Sequence, residues 1–280
     1  MIHICILTKP RFLSDLDNLL EWYVLNREAL SIRKITVFCN FPWYYTFQAD
    51  FIEFVKVQPY EGFHKQKELY TEYMKHCDIP EGDYVIFLDD DEYLYYDDKV
   101  YGKNLSQLFE EYLRVSYKVP EILMSTKVLA ADRGFANMPD FCCMRRDDKS
   151  SQVKTFVYFT KSYTYDYVTK ISEEHLPLHT PLINGKLTTS ILYDDEKDGS
   201  LQVYDDSSSY AETDYEFPLR IYHYHIKSYQ DWRYKLRRGS AASDKPWYQE
   251  SIYDNIFFGG YDTEDTTIRD AFYKLRNELK

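Results

Sequence analysis

The segment Tyr84-Val85-Ile86-Phe87-Leu88-Asp89-Asp90-Asp91-Glu92-Tyr93 joins an apolar run directly to four consecutive acids. Tyr84 to Leu88 carries no charge at either parity, which predicts a strand buried on both faces, as in a parallel sheet covered by helices. The acids then fall just past the carboxyl end of that strand, where open α/β sheets place their ligands. Three aspartates and a glutamate in a row repel one another unless positive charge is brought to them. A divalent cation is the simplest source, and oxygen ligands suit Mn²⁺ or Mg²⁺, which complete their shells with waters and substrate phosphates. In extended backbone Asp89 and Asp91 project to one side and Asp90 to the other, so the first and third form the natural metal-side pair. A solvated acidic turn is the competing reading; the buried strand before it and Tyr93 after it disfavour that.

Working outward, the chain alternates short β-like runs with helix-period segments, the pattern of an α/β protein with a mostly parallel sheet and flanking helices. Upstream, Ile2 to Leu7, Ile35 to Cys39 and Phe51 to Val57 read as strands. Ser14 with Asp17 resembles a capping box, after which Leu16, Leu19, Leu20 and Tyr23 share a helical face. His64 to His76 reads as a second helix, with Leu69, Tyr70 and Tyr73 on its pattern, ended by Ile79-Pro80-Glu81-Gly82-Asp83. Downstream, Asn104 and Gln107 open a helix with Leu105, Leu108, Phe109 and Tyr112 as its apolar positions, so Asn104-Leu105-Ser106 is a helix start rather than a sequon. Ile122 to Leu129, Val153 to Phe159 and Leu219 to His223 read as further strands, and Tyr193 to Tyr215 as an acidic mobile loop with room for a short strand. Ser228 caps a helix to Arg238, and a last helix covers roughly Thr266 to Leu279.

A formal charge of -12 argues against a general binder of nucleic acid or anionic membranes, which needs clustered Lys and Arg. It leaves room for a nucleotide received by a bound cation and a few local basic residues. Five cysteines, Cys5, Cys39, Cys77, Cys142 and Cys143, lack metal-finger spacing and read as reduced thiols. No run reaches membrane-spanning length and the amino terminus lacks a signal-peptide pattern, so the expectation is a soluble, cytoplasmic protein.

The stretch FLDDDEYL, Phe87 to Leu94, resembles the DxDEF-type signature of glycosyltransferases with the GT-A fold, particularly the family 92-like and related family 2-like enzymes. Leu19-Leu20-Glu21-Trp22-Tyr23 resembles the early L-x-E-W helix of that group. Gln66 stands where such enzymes carry a glutamine ahead of the acidic motif, and His223-Tyr224-His225-Ile226-Lys227-Ser228 with Lys235 and Gly239 resembles their late HY-x-x-KS segment. The chain departs from the pattern at Lys9-Pro10-Arg11, where relatives show R-N-E, and at Cys39-Asn40, where they tend to carry an acid.

The resemblance implies a single domain over 1–280 with a Rossmann-like, mostly parallel sheet and an additional small antiparallel sheet. Residues 1–100 would form the nucleotide-sugar half, 101–240 the acceptor half and 241–280 a helical extension. It implies that Thr8, Arg11 and Asn40 contact the nucleotide, with Gln66, Asp89 and Asp90 beside it. Asp91 becomes the main metal ligand, with Asp89 on the ribose or on the metal through water. A third ligand arrives late in the chain at His223, with His225 as the alternative on the same strand face. Lys154 or Lys227 would offset charge on the departing diphosphate, and for an inverting transfer Asp140, with Asp132 as the alternative, would be the base; Glu173 and Glu174 are further choices.

The implied partners are a nucleotide-sugar donor and an oligosaccharide or glycoprotein acceptor, with Mn²⁺ or Mg²⁺ as cofactor. The chain also resembles the small glycosyltransferases with which chloroviruses build capsid N-glycans, which implies UDP-xylose as donor. For Lys235, Arg237 and Arg238, pairing with a helix dipole is sufficient explanation. Trp232, Trp247 and Tyr248 are candidates for an acceptor groove, against ordinary aromatic packing. The rival functions are a metal-dependent nucleotidyltransferase or phosphohydrolase, disfavoured by the absence of a Gly-rich phosphate loop, and a calcium-stabilised carbohydrate-binding module, which the strand-helix alternation disfavours.

Overall fold

The computed structural model describes residues 1–8, 13–40, 53–62, 65–98, 104–112, 116–125, 144–146, 153–167, 170–171, 174–175, 181–186, 189–195, 200–206, 219–226 and 261–278. In chain order the first half comprises β1 (Ile2–Thr8), α1 (Leu13–Leu25), β2 (Ile32–Cys39), β3 (Val55–Pro59), α2 (Gln66–His76), β4 (Tyr84–Asp89), β5 (Glu92–Tyr96), α3 (Leu105–Tyr112) and β6 (Tyr117–Ser125). The remainder comprises β7 (Met144–Arg146), β8 (Val153–Tyr158), the short β9 (Tyr165–Asp166), β10 (Lys170–Ile171), β11 (Glu174–His175) and β12 (Leu182–Ile183), then β13 (Thr189–Asp195), β14 (Ser200–Asp206), β15 (Leu219–Ile226), β16 (Tyr261–Glu264) and α4 (Thr267–Glu278).

β1 is buried at every position, and it is the strand around which the sheet is organised. β2 and β4 flank it in parallel register, and β3 continues the parallel run beyond β2. On the other side of β4 the strands β8 and β6 follow, β8 antiparallel to both. The result is an α/β fold with a mixed, mostly parallel central sheet. The chain leaves β1 toward β2 and β3, then returns to pair β4 against the opposite side of β1. The carboxyl ends of β1 and β4 therefore border the point where strand order reverses, the usual ligand crevice of such sheets.

Alternating strand residues serve two apolar layers. Ile2, Ile4 and Ile6 of β1 join Ile86 and Leu88 of β4, α1, α3 and α4 on one face. Cys5, Leu7, Val85 and Phe87 join Tyr70 and Met74 of α2 on the other. This double burial is what the unbroken apolar runs of β1 and β4 predict. α3 opens with the expected reciprocal cap: the Asn104 amide N–H donates to Gln107 Oε1 at 3.1 Å and the Gln107 amide N–H to Asn104 Oδ1 at 2.9 Å.

β6 changes partners along its length, with β13 beside its first residues and β7 beside its last. Tyr117 to Pro120 pairs with β8, while Glu121 to Ser125 pairs in parallel with β15, which in turn carries β5 antiparallel on its far side. The β5–β15 pair is the small antiparallel element beside the main sheet. The free edge of β5 is closed by α1. The Trp22 indole N–H donates to the Leu94 carbonyl at 3.0 Å, the Tyr23 hydroxyl donates to the Glu92 carbonyl at 2.7 Å, and it accepts the Leu94 amide N–H at 3.1 Å. A strand edge that would otherwise leave its polar groups unpaired is thereby satisfied by side chains. Glu21, next to them, is held by Arg276 of α4 through two contacts of 2.7 and 2.6 Å.

Several sequence expectations need correction. Tyr193 to Tyr215 begins inside a regular antiparallel hairpin, Thr189–Asp195 against Ser200–Asp206, rather than a loop; 207–218 lies outside the described residues. β6 starts at Tyr117 and not Ile122, β2 at Ile32 and not Ile35, and β3 is Val55–Pro59. Helix α1 already includes Leu13, so Ser14 lies within its first turn instead of ahead of it. The carboxy-terminal segment supplies a strand, β16 paired with β7, as well as the expected helix. The helix read from Ser228 to Arg238 lies outside the described residues.

Candidate metal centre at the carboxyl edge of β4

Register alone gathers four ionisable side chains. Glu92, the first residue of β5, is the cross-strand partner of His223 on β15. On the other side of β15, Ile221 is the partner of Glu121, which sets His223 diagonally beside Glu121 on the same face. Val119, two residues before Glu121 and of the same parity, is the partner of Lys154 on β8. Glu92, His223, Glu121 and Lys154 thus share one face of neighbouring strands because strand side chains repeat every second residue.

The acidic segment folds over this face. The chain is not extended through it: β4 stops at Asp89, Asp90 and Asp91 form a turn, and β5 begins at Glu92. The parity argument that paired Asp89 with Asp91 against Asp90 therefore fails, and the three aspartates find different partners. Asp89 meets Lys154 at 3.1 Å, and Asp90 accepts the Thr8 hydroxyl at 2.6 Å. Asp91, 3% exposed, places Oδ1 3.4 Å from His223 Nε2. Glu92, fully buried, accepts the Asp89 amide N–H at 2.9 Å through Oε2 and has Lys154 Nζ 2.9 Å from Oε1. The backbone locks the arrangement, since the Tyr224 amide N–H donates to the Asp91 carbonyl at 2.8 Å.

The electrostatics favour positive charge. Burial would lower the His223 pKa, but the Asp91 and Glu92 carboxylates and hydrogen bonds to Asp91 and Glu121 hold it well above the usual histidine range. Burial also works against a charged Lys154, yet Asp89, Glu92 and Glu121 hold it well above the usual range. Burial meanwhile pushes the Glu92 carboxyl up, with Lys154 opposing. The two directions ask for opposite states of one pair. The ion pair is the better description, because Lys154 has Asp89 as a second anion and Glu92 Oε2 accepts an amide N–H, both of which favour charged forms.

Among the described residues, Asp91, Glu92 and His223 bring ligand atoms within 4.8 Å of one another. An oxygen-plus-imidazole donor set fits a divalent cation such as Mn²⁺, which accepts a nitrogen ligand more readily than Mg²⁺ does. Glu92 Oε2 accepts the Asp89 amide and Oε1 faces Lys154, so within this group Glu92 is the member already tied to the protein's own charges, and Asp91 with His223 forms the pair at its outer side. Lys154, 1% exposed, balances protein carboxylates from behind the acidic turn.

The other candidates are distributed as follows. Thr8 lies at the carboxyl end of β1 with its hydroxyl on Asp90, and the Asn40 amide at the end of β2 donates to the Gly62 carbonyl at 3.1 Å. Gln66 is buried and donates to the Tyr70 hydroxyl at 2.9 Å. Arg11, Asp132, Asp140, Glu173, Lys227, Trp232, Trp247, Tyr248 and the side chains of Glu174 and His225 lie outside the described residues. Sequence reasoning missed Glu121 as a member of the cluster and Glu92 as its buried anchor. The available signal was Glu121 itself, a lone acid beside the apolar run Ile122-Leu123-Met124.

Among the described residues no helix is long and apolar enough to cross a membrane, and Cys5, Cys39 and Cys77 are in no disulfide. Comparison with protein-family models gives no match for this chain, and comparison with curated proteins gives none either.

Proposed function

We propose that the chain is a metal-dependent glycosyltransferase of the GT-A kind, moving a sugar from a nucleotide-diphosphate donor to a glycan hydroxyl. The observation that carries the reading is the meeting of Asp91 and His223 beside the carboxyl ends of β1 and β4, with Asp89 and Asp90 alongside. A divalent cation held there supplies positive charge where a diphosphate leaving group develops negative charge. Asp91 and His223 hold it, and Lys154 with Glu92 keeps the acidic turn in place. Thr8 and Asp90 border the crevice on the β1 side, where a nucleotide would lie. The strand order, with β8 antiparallel between β4 and β6 and the antiparallel β5–β15 pair joined to β6 through β15, is compatible with a GT-A sheet. The resemblance of Phe87 to Leu94 makes nucleotide sugars the donors to try, and the resemblance of the chain to the small chlorovirus glycosyltransferases puts UDP-xylose at the head, with an inverting transfer expected.

The test is incubation with Mn²⁺ and a panel of nucleotide sugars, following release of nucleoside diphosphate. Metal-dependent release from one donor, lost in Asp91→Asn, supports the proposal and names the sugar. Hydrolysis of nucleoside triphosphates with every nucleotide sugar left intact would replace it by a phosphohydrolase, and glycan binding without donor turnover by a binding module.

A further inference from the structure

We propose that Glu121 is the positioning residue of this centre, holding the His223 ring so that Nε2, and not Nδ1, is the metal-ligating atom. The inference rests on the metal-site reading above and adds a residue and an atom to it. Glu121 is 2% exposed and reaches His223 Nδ1 with Oε2 at 2.9 Å. Its place is fixed by the parallel β6–β15 register, in which Ile221 is its partner and His223 lies two residues further along the same face.

The two ring nitrogens face different surroundings. Nδ1 sees two buried carboxylates, Glu121 at 2.9 Å and Glu92 Oε1 at 3.6 Å, whereas Nε2 sees Asp91 Oδ1 at 3.4 Å. A carboxylate only accepts, so Nδ1 must carry the hydrogen that lies between it and Glu121. In the neutral ring the lone pair is then on Nε2, directed to the side where Asp91 stands. A carboxylate behind a ligating imidazole fixes the tautomer and raises ligand basicity, and losing such a partner typically weakens metal affinity about 10- to 100-fold. Asp91 belongs to the turn after β4 and Glu121 to β6, so the His223 ring is gripped from both ends by separate elements.

The experiment is Mn²⁺ titration calorimetry on the parent chain, Asp91→Asn, Glu121→Ala and Glu121→Gln, with circular dichroism melting as the control for folding. Nitrogen-15 spectra of the histidines with Zn²⁺ as a diamagnetic probe report the ligating atom. The parent should bind Mn²⁺, Asp91→Asn should lose binding, and Glu121→Ala should bind about 10- to 100-fold more weakly. Glu121→Gln preserves the shape and serves if the alanine variant fails to fold; it too should bind more weakly, for want of the charge. His223 in the Zn²⁺-loaded parent should show a protonated Nδ1 and a metal-shifted Nε2. Unchanged affinity in a folded Glu121 variant, or a metal-shifted Nδ1, overturns the role of Glu121 and leaves the metal site standing. A parent that takes up no Mn²⁺, or an Asp91→Asn variant that binds like the parent, overturns the site reading and this inference with it.

Discussion

Asp83, the residue just before β4, offers a quantitative test of how that strand is anchored at the end opposite the acidic turn. Its side chain is 8% exposed and receives three cationic or polar contacts: the terminal amino group at 3.0 Å, His3 Nε2 at 2.9 Å and Arg33 Nε at 2.7 Å. Burial alone would raise its pKa, but the bonds from His3, the amino terminus and Arg33 outweigh burial and hold the carboxyl at about 2, against 3.8 ordinarily. At about 1.4 kcal/mol per unit, the depression corresponds to roughly 2.4 kcal/mol of folding stability. Because the folded pKa lies below the unfolded one, that stability is present above about pH 4 and drains away as the pH falls toward 2. We expect Asp83→Asn to lie about 2.4 kcal/mol below the parent at pH 6, and only about 1.3 kcal/mol below it at pH 3. Urea unfolding at the two values, with matched m values, measures both gaps. A gap equal at pH 6 and pH 3 would refute the reasoning, since a loss independent of protonation reports packing and not charge.

Lys154→Met should destabilise the fold by about 3–5 kcal/mol in urea unfolding, because it leaves buried Glu92 without its counter-ion; adding Glu92→Gln should recover part of the loss, and a double variant no better than the single would contradict the pairing. Tyr23→Phe removes the hydroxyl that serves both the Glu92 carbonyl and the Leu94 amide of a buried strand edge, at about 1–3 kcal/mol for each orphaned group. Amide exchange at Leu94 should accelerate in that variant, and protection equal to the parent would show that α1 does not close the edge of β5.

The fold was legible wherever burial is uniform along a segment. Tyr84 to Leu88 and Ile2 to Leu7 read as doubly buried strands because nothing polar interrupts them, and Asn104 with Gln107 announced its helix because a cap is a local, three-residue contact. The hairpin Thr189–Asp195 with Ser200–Asp206 was misread because Asp194, Asp195, Asp205 and Asp206 at strand ends give it a loop-like composition. Pairing, unlike composition, is a property of two segments at once. For the same reason the acidic turn could be found in the sequence while its internal geometry could not. Whether Asp89 or Glu92 stands beside Asp91 depends on where β4 stops, and no residue between Leu88 and Tyr93 marks that point by a glycine or a proline.

What fixes the stopping point lies elsewhere in the chain. β5 can begin at Glu92 because Trp22 and Tyr23 of α1 satisfy the edge that its start exposes, and because β15 meets it residue for residue from His223 to Leu219. The turn between β4 and β5 is thus imposed by a helix near one end of the sequence and a strand near the other. The resemblance of Leu19-Leu20-Glu21-Trp22-Tyr23 to an L-x-E-W helix acquires a physical content from this. Leu19 and Leu20 fill the core, Glu21 ties α1 to α4 through Arg276, and Trp22 with Tyr23 holds the strand from which Glu92 faces His223. The cluster of charges therefore depends on α1 side chains that hold the backbone of β5, and a substitution at Trp22 or Tyr23 reaches the candidate centre through that backbone.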